Sequence, residues 1–251
     1  MLTESLYRVL ALARINWALR LRDPGQFISY LLMPMILMLV FKPIYNRAFS
    51  SGTTQVVTGM LVIFSTLALA IVGTATLTER TWHTWDRLRS TRATTAELLL
   101  GKALPVFLVL LTQQTILLAY GMLVIGVRPA GNPWLVALAV SSWGATLLAI
   151  GTAIAATVRS HGELSATCDI GALTLTTLGG AFVPVDMFPG WLQVVAPVSP
   201  GYWALSMLQA ALRGNVQGTL LPAAVLLTVG AAAGTYAIWR LSRGLGRTTV
   251  L

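Results

Sequence analysis

Five stretches of this chain carry no formal charge, and they constrain the fold more than any other feature. They lie between Asp23 and Lys42, Arg47 and Glu79, Lys102 and Arg128, Arg128 and Arg159, and Arg213 and Arg240. Each approaches or exceeds the ~20 apolar residues that cross a hydrocarbon core roughly 30 Å thick. A water-soluble domain cannot be assembled from such runs, because its elements must carry a polar face as well as an apolar one. Only 10% of the 251 residues are charged, against about a quarter in ordinary globular domains. The chain therefore reads as an all-α, polytopic membrane protein.

Six transmembrane helices are expected, at residues 25–42, 56–78, 103–127, 134–158, 166–183 and 219–240. Between Glu163 and Arg213 the only charges are Asp169 and Asp186, and Pro184, Pro189, Pro197 and Pro200 interrupt the stretch. Proline removes a backbone donor and ends a helix locally. A fifth crossing up to Val183, followed over 184–213 by a re-entrant hairpin on the outer side, accommodates these breaks. Irregular backbone survives at membrane depth only where protein or water satisfies it. Segments 1–24, 79–102, 159–165 and 240–251 hold 4, 5, 1 and 3 basic residues, whereas 43–55, 128–133 and 184–218 hold one each. The positive-inside tendency then puts both termini in the cytoplasm, in keeping with a multi-pass protein of a bacterial inner membrane.

The net charge of +9 does not point to nucleic acid, because the basic residues sit between apolar runs and form no stripe with interleaved aromatics. A single cysteine, Cys168, excludes an internal disulfide and a cysteine-based metal site. His83 and His161 have no paired carboxylates beside them, so neither a metal site nor an acid–base pair is assembled. The chain also lacks a GxxxxGK phosphate loop: Gly101-Lys102 is preceded by Ala96 where the first glycine would stand.

Two segments outside the crossings look structured. Residues 1–24 place Leu2, Leu6, Leu10, Ala13, Trp17 and Leu21 along one helical stripe, with Arg8, Arg14 and Arg20 among the basic residues of the segment. Such a helix suits the interfacial plane, and an Arg-rich flank that only sets topology is the plainer alternative. The loop 79–102 is longer than a tight turn requires. Trp82 and Trp85 share a face there, and Asp86 and Arg89 have the spacing of a helical ion pair. That pattern suits a docking surface for another protein, or tryptophans resting at the membrane interface.

Inside the crossings, Asp169 is the one acidic residue, and burying it is expensive. An ion relay normally needs more groups, so a boundary or packing role is the simpler reading. Gln113 and Gln114 fall mid-span and are candidates for lining a substrate path, although Gln, Ser and Thr also bond between packed helices. The run Gly230-Ala-Ala-Ala-Gly234 permits close helix approach, within the chain or at a dimer seam.

The order of these features resembles the ABC-2 type permeases: a basic amino-terminal helix, a charged loop after the second span, and a Pro-rich hairpin before the last. The hairpin elements are Gly180, Phe182, Pro184, Pro189, Gly190, Trp191, Leu192, Pro200, Tyr202 and Arg213. The loop contributes Glu79, Arg80, Leu88, Arg89 and the stretch Glu97–Lys102. The resemblance runs over essentially the whole chain, is nearest to the drug-resistance and lipooligosaccharide branch, and departs from the usual pattern at Trp82, His83 and Trp85.

The resemblance implies residues 1–24 as an interfacial helix and 25–251 as a six-span domain. It implies an exporter of amphipathic drugs, lipids or glycolipids, with two permease copies joined to two separate ATPase subunits that hold the ATP and Mg. The chain itself would need no cofactor, contact membrane lipid and bind no nucleic acid. Glu79, Arg80, Trp82, Trp85, Asp86, Arg87, Leu88 and Arg89 would couple to the ATPase. Pro184, Pro189, Trp191, Pro200 and Tyr202 would gate the outer end. An ion-coupled carrier and a non-transporting scaffold are the rival classes.

Overall fold

In a computed structural model, the structure describes residues 25–81 and 95–242. Among the described residues the regular secondary structure is all helical, without strands. Helix α1 spans Gly25–Ala48, α2 Gly52–Leu67 and α3 Leu69–Thr81. Helix α4 runs Thr95–Tyr120 and ends in a π-helical turn, Gly121–Ile125; α5 is Pro133–Thr157 and α6 His161–Leu178. Single 3-10 turns at Val185–Met187 and Ala196–Val198 flank a short α7, Gly190–Val195. Helices α8, Pro200–Leu212, and α9, Val216–Ser242, complete the described residues.

Five helical stretches are long and apolar enough to cross a membrane: Ile28–Ala48, Gly52–Thr74, Ala103–Ile125, Pro133–Thr157 and Val216–Leu241. The charge-free runs located these five to within six residues at each end, the largest gap being at the first, which continues past Lys42 and Arg47 to Ala48. The segment expected as a sixth crossing, 166–183, instead begins its helix at His161 and ends it at Leu178. Its acidic Glu163 and Asp169 set it apart from the other five, which hold no Asp or Glu.

Helix starts follow local chemistry. Asn132 caps α5, accepting from the Trp134 amide, and Pro133 fills a first-turn position where no donor is needed. Ser160 accepts from the Glu163 amide at 3.1 Å, while the Glu163 carboxylate accepts from the Arg159 amide at 2.8 Å. This is a near relative of the reciprocal capping box. At its far end α5 is capped from another helix: Arg240 Nε donates to the Ala156 carbonyl at 2.8 Å. Cationic caps at helix carboxyl ends are favourable by charge as well as geometry.

The core is built around α2, nearly all of whose residues are buried. It is flanked by α1, α4, α6 and α8, and the long pair α5–α9 closes the other side. Small residues set the closest approaches. A Cβ on Gly230 would stand 3.2 Å from the Thr146 Cα, so α9 lies directly on α5. Gly230 therefore serves packing within the chain. Gly151 on α5 likewise faces Val72 on α3, where a Cβ would come within 2.8 Å. Close packing through small residues is the usual solution where lipid offers no hydrophobic drive between helices.

Helix α6 runs antiparallel to α2–α3. Near its start, Leu164 fills the space over Gly73; beyond its end, the Ala181 carbonyl presses on Gly59. Both glycines belong to the span Gly52–Thr74, so α6 lies alongside that span over most of its depth.

Candidate functional site

A buried polar node fixes the base of the Pro-rich segment. Gln55 Nε2 donates to the Gly180 carbonyl at 2.8 Å, and Gln55 Oε1 accepts from Gln209 Nε2 at 2.7 Å. Tyr45 Oη donates to the Phe182 carbonyl at 2.7 Å. Four parts of the chain thus meet at one point: α1, α2, the loop after α6, and α8. The loop reaches it because Gly180 adopts φ +85, a left-handed conformation that favours glycine. A Cβ on Gly59 would fall 2.1 Å from the Ala181 oxygen, so α2 must be bare there. In a medium without water each of these carbonyls would cost several kcal/mol unbonded. The node therefore holds the loop at one position.

Beyond the node the segment turns outward. Pro184 is half-buried and leads into the first 3-10 turn, Pro189 is exposed ahead of α7, and Trp191 is 70% exposed. Gln193 Nε2 closes this arm on itself by donating to the Phe188 carbonyl at 2.8 Å. The chain then returns through Ser199, which caps α8 and donates its hydroxyl to the Leu175 carbonyl. Pro200 sits in the first turn of α8, where Tyr202 packs edge-on against Trp203, ring centroids 5.3 Å apart. The exposed arm and the buried α8 thus share one anchorage. Of the five expected gate residues, Trp191 and Pro189 face outward; Pro184, Pro200 and Tyr202 are half-buried.

The most unusual surface belongs to α6. Leu164, Cys168, Ala172 and Thr176 face inward. The opposite side exposes Glu163, Thr167, Asp169, Ile170, Leu173, Thr174 and Thr177. By contrast α1 exposes Ile28, Leu32, Met33, Ile36, Leu39, Val40 and Ile44, a surface made for lipid. Helix α6 offers hydroxyls and a carboxyl beside the exposed Ile170 and Leu173.

Gln113 and Gln114 lie inside the chain, away from that face. Gln113 Nε2 donates to the carbonyls of Tyr30 and Phe64 at 3.2 and 3.3 Å, tying α4 to α1 and α2. Gln114 is fully buried, and neither its amide nitrogen nor its oxygen has a partner among the described residues. Close by, Trp143 Nε1 donates to Ser65 Oγ at 2.8 Å.

Of the residues expected to dock a partner, Glu79 and Arg80 fall in the last turn of α3. Trp82, Trp85, Asp86, Arg87, Leu88 and Arg89 lie outside the described residues, as do Arg8, Arg14, Trp17 and Arg20. No group of three His, Cys, Asp or Glu suited to a metal occurs among the described residues. Gln55, Gln209 and Tyr45 were not singled out from the sequence. The only trace they leave there is a polar atom in an apolar run, which every buried Thr and Ser also leaves.

Several long apolar helices packed around a buried central one define a multi-pass membrane protein. The model of the ABC-2 type transporter family matches residues 7–212, and the chain belongs to that family. It is similar to the linearmycin resistance permease protein LnrN of Bacillus subtilis (strain 168), 29% identical over 159 residues, which is 63% of this chain and 41% of that protein. It is also similar to the probable multidrug ABC transporter permease YbhR of Escherichia coli (strain K12), 27% identical over 146 residues, 58% of this chain and 40% of the relative. The chain thus spans about two-fifths of the length of the curated relatives it matches.

Proposed function

We propose that the chain is the permease subunit of an ATP-driven exporter of amphipathic compounds, working as a pair of copies on separate ATPase subunits that hold ATP and Mg. The observation that carries this reading is the polar face of α6. At about 1.5 Å per residue, its 18 residues rise roughly 27 Å, close to the ~30 Å hydrocarbon core. Taken as the sixth crossing, α6 presents to its surroundings a face that lipid disfavours and that water or a second protomer would accept. A hydrated path between two copies meets that requirement. The family supports it, as do the names of the two relatives, one a resistance permease and the other a probable multidrug permease.

In this reading both termini face the cytoplasm of a bacterial inner membrane, and residues 1–24 rest on its surface. The 79–102 loop docks on the ATPase, and closure of the ATPase pair pulls on α3, whose last turn carries Glu79 and Arg80. Such coupling requires the ATP-bound state to favour one permease arrangement over the other. The segment 184–213 caps the outer end as a re-entrant hairpin; α8, at 13 residues, rises only about 20 Å and does not cross. Pulling on α3 is transmitted through α6 to the loop at Gly180, since α6 touches α3 at one end and α2 at the other. Gln113 and Gln114 would meet a substrate only if α4 parted from α2 and α5.

Copurification with a separate ABC-type ATPase subunit tests the docking step. Arg87→Glu with Arg89→Glu is expected to abolish complex formation and substrate-stimulated ATP hydrolysis while leaving membrane insertion intact. A complex that assembles and hydrolyses normally with both reversals refutes the docking role of the loop.

A further inference from the structure

We infer that Asp169 and the apolar residues beside it form a recognition site for an amphiphile bearing a positive charge. This rests on the reading of α6 as a wall of the path, and it assigns the chemical class of what passes. Asp169 is exposed on α6 and makes no hydrogen bond or ion pair among the described residues. Its depth follows from the antiparallel packing: Leu164 lies over Gly73 and Ala181 over Gly59, so Asp169 stands level with the part of the span Gly52–Thr74 between those glycines. On a narrow path with low-dielectric walls, a carboxylate without a partner among the described residues focuses negative potential and attracts a cationic ligand head by charge complementarity.

The surroundings suit the rest of such a molecule. Leu173 lies one turn further along the helix and Ile170 is adjacent and 68% exposed, giving an apolar rest for a hydrocarbon body. Thr174 and Thr177 continue toward the outer end with hydroxyls that solvate a moving polar group. Beyond His161 in its first position, α6 carries no Lys, Arg or His, so nothing further along this helix opposes a cation.

Equilibrium dialysis of the purified full-length chain in dodecyl maltoside micelles tests the assignment. The probes are the lipophilic cation tetraphenylphosphonium and the uncharged triphenylphosphine oxide. Wild type is expected to prefer the cation. Asp169→Asn is expected to weaken cation binding about tenfold, the 1.4 kcal/mol step of one lost charge contact, and to leave the neutral probe unchanged. Asp169→Glu should retain the preference, which separates loss of charge from loss of fold. Equal binding of the cation by wild type and Asp169→Asn overturns the proposal. So does displacement of the cation by phosphatidylethanolamine at equal concentration, which would assign the site to a lipid headgroup. A second arm keeps the underlying reading distinct: in a Cys168→Ala background, Thr174→Cys in membranes is treated with a charged, membrane-impermeant thiol reagent. Reaction without any effect of Asp169→Asn refutes the cation site alone; absence of reaction refutes the polar path and the site with it.

Discussion

Gln55 is the residue on which the local architecture turns, because it satisfies a loop carbonyl and a helix side chain together. Gln55→Leu leaves the Gly180 oxygen without its partner, at about 1–3 kcal/mol, and leaves the Gln209 amide only its longer bond to Thr58 Oγ1 at 3.4 Å. Thermal unfolding in micelles should register the loss, and Gln209→Leu alone should cost less because the Gly180 bond survives. Gln114 predicts the opposite sign. Its amide is buried and unbonded, so Gln114→Leu is expected to be neutral or to stabilise by roughly 1–3 kcal/mol. A marked destabilisation on the same unfolding measurement would mean that the amide has a partner in the membrane-bound state. Neither residue's role was legible in the sequence. Gln55 and Gln209 are 154 positions apart, and Gln113 and Gln114 look alike in the chain although one is bonded and the other is not.

Among the elements, the five apolar helices were readable because an uninterrupted charge-free run has few structural alternatives. Helix α6 was readable in existence but not in extent. Its start is set by the Ser160–Glu163 cap, which places a charged residue inside the helix, and its end by Gly179 and Gly180 folding back on α2 and α8. Hydropathy alone, which favours the later apolar residues, shifted the expected segment toward Val183. The glycines give a sharp contrast between elements. Gly230→Val would force apart α5 and α9, where a Cβ already comes to 3.2 Å, and is expected to cost about 1–3 kcal/mol. Gly171 on α6 has nothing within 4 Å of a built Cβ, so Gly171→Ala should stabilise by about 0.5–1 kcal/mol. Chemical denaturation of both variants in micelles measures the two shifts, and equal behaviour would contradict the packing described for these helices.

At the scale of the molecule, α1 exposes apolar side chains and α6 exposes threonines and a carboxyl; in the proposed function the first is a side for lipid and the second a side for water or another protomer. Charge placement in the sequence anticipated a many-spanning helical protein, and the Pro-rich stretch anticipated the broken segment before α9. The division between the two faces was not legible, since it depends on which side of α6 is taken up by α2, α3 and α8. The central claim is that this surface serves ATP-driven export. Inside-out membrane vesicles containing the chain and its partner ATPase, supplied with a fluorescent lipophilic cation, test it most directly. The account predicts accumulation that requires ATP and persists when ionophores collapse the proton and sodium gradients. Accumulation that proceeds without ATP and vanishes with those gradients would contradict it.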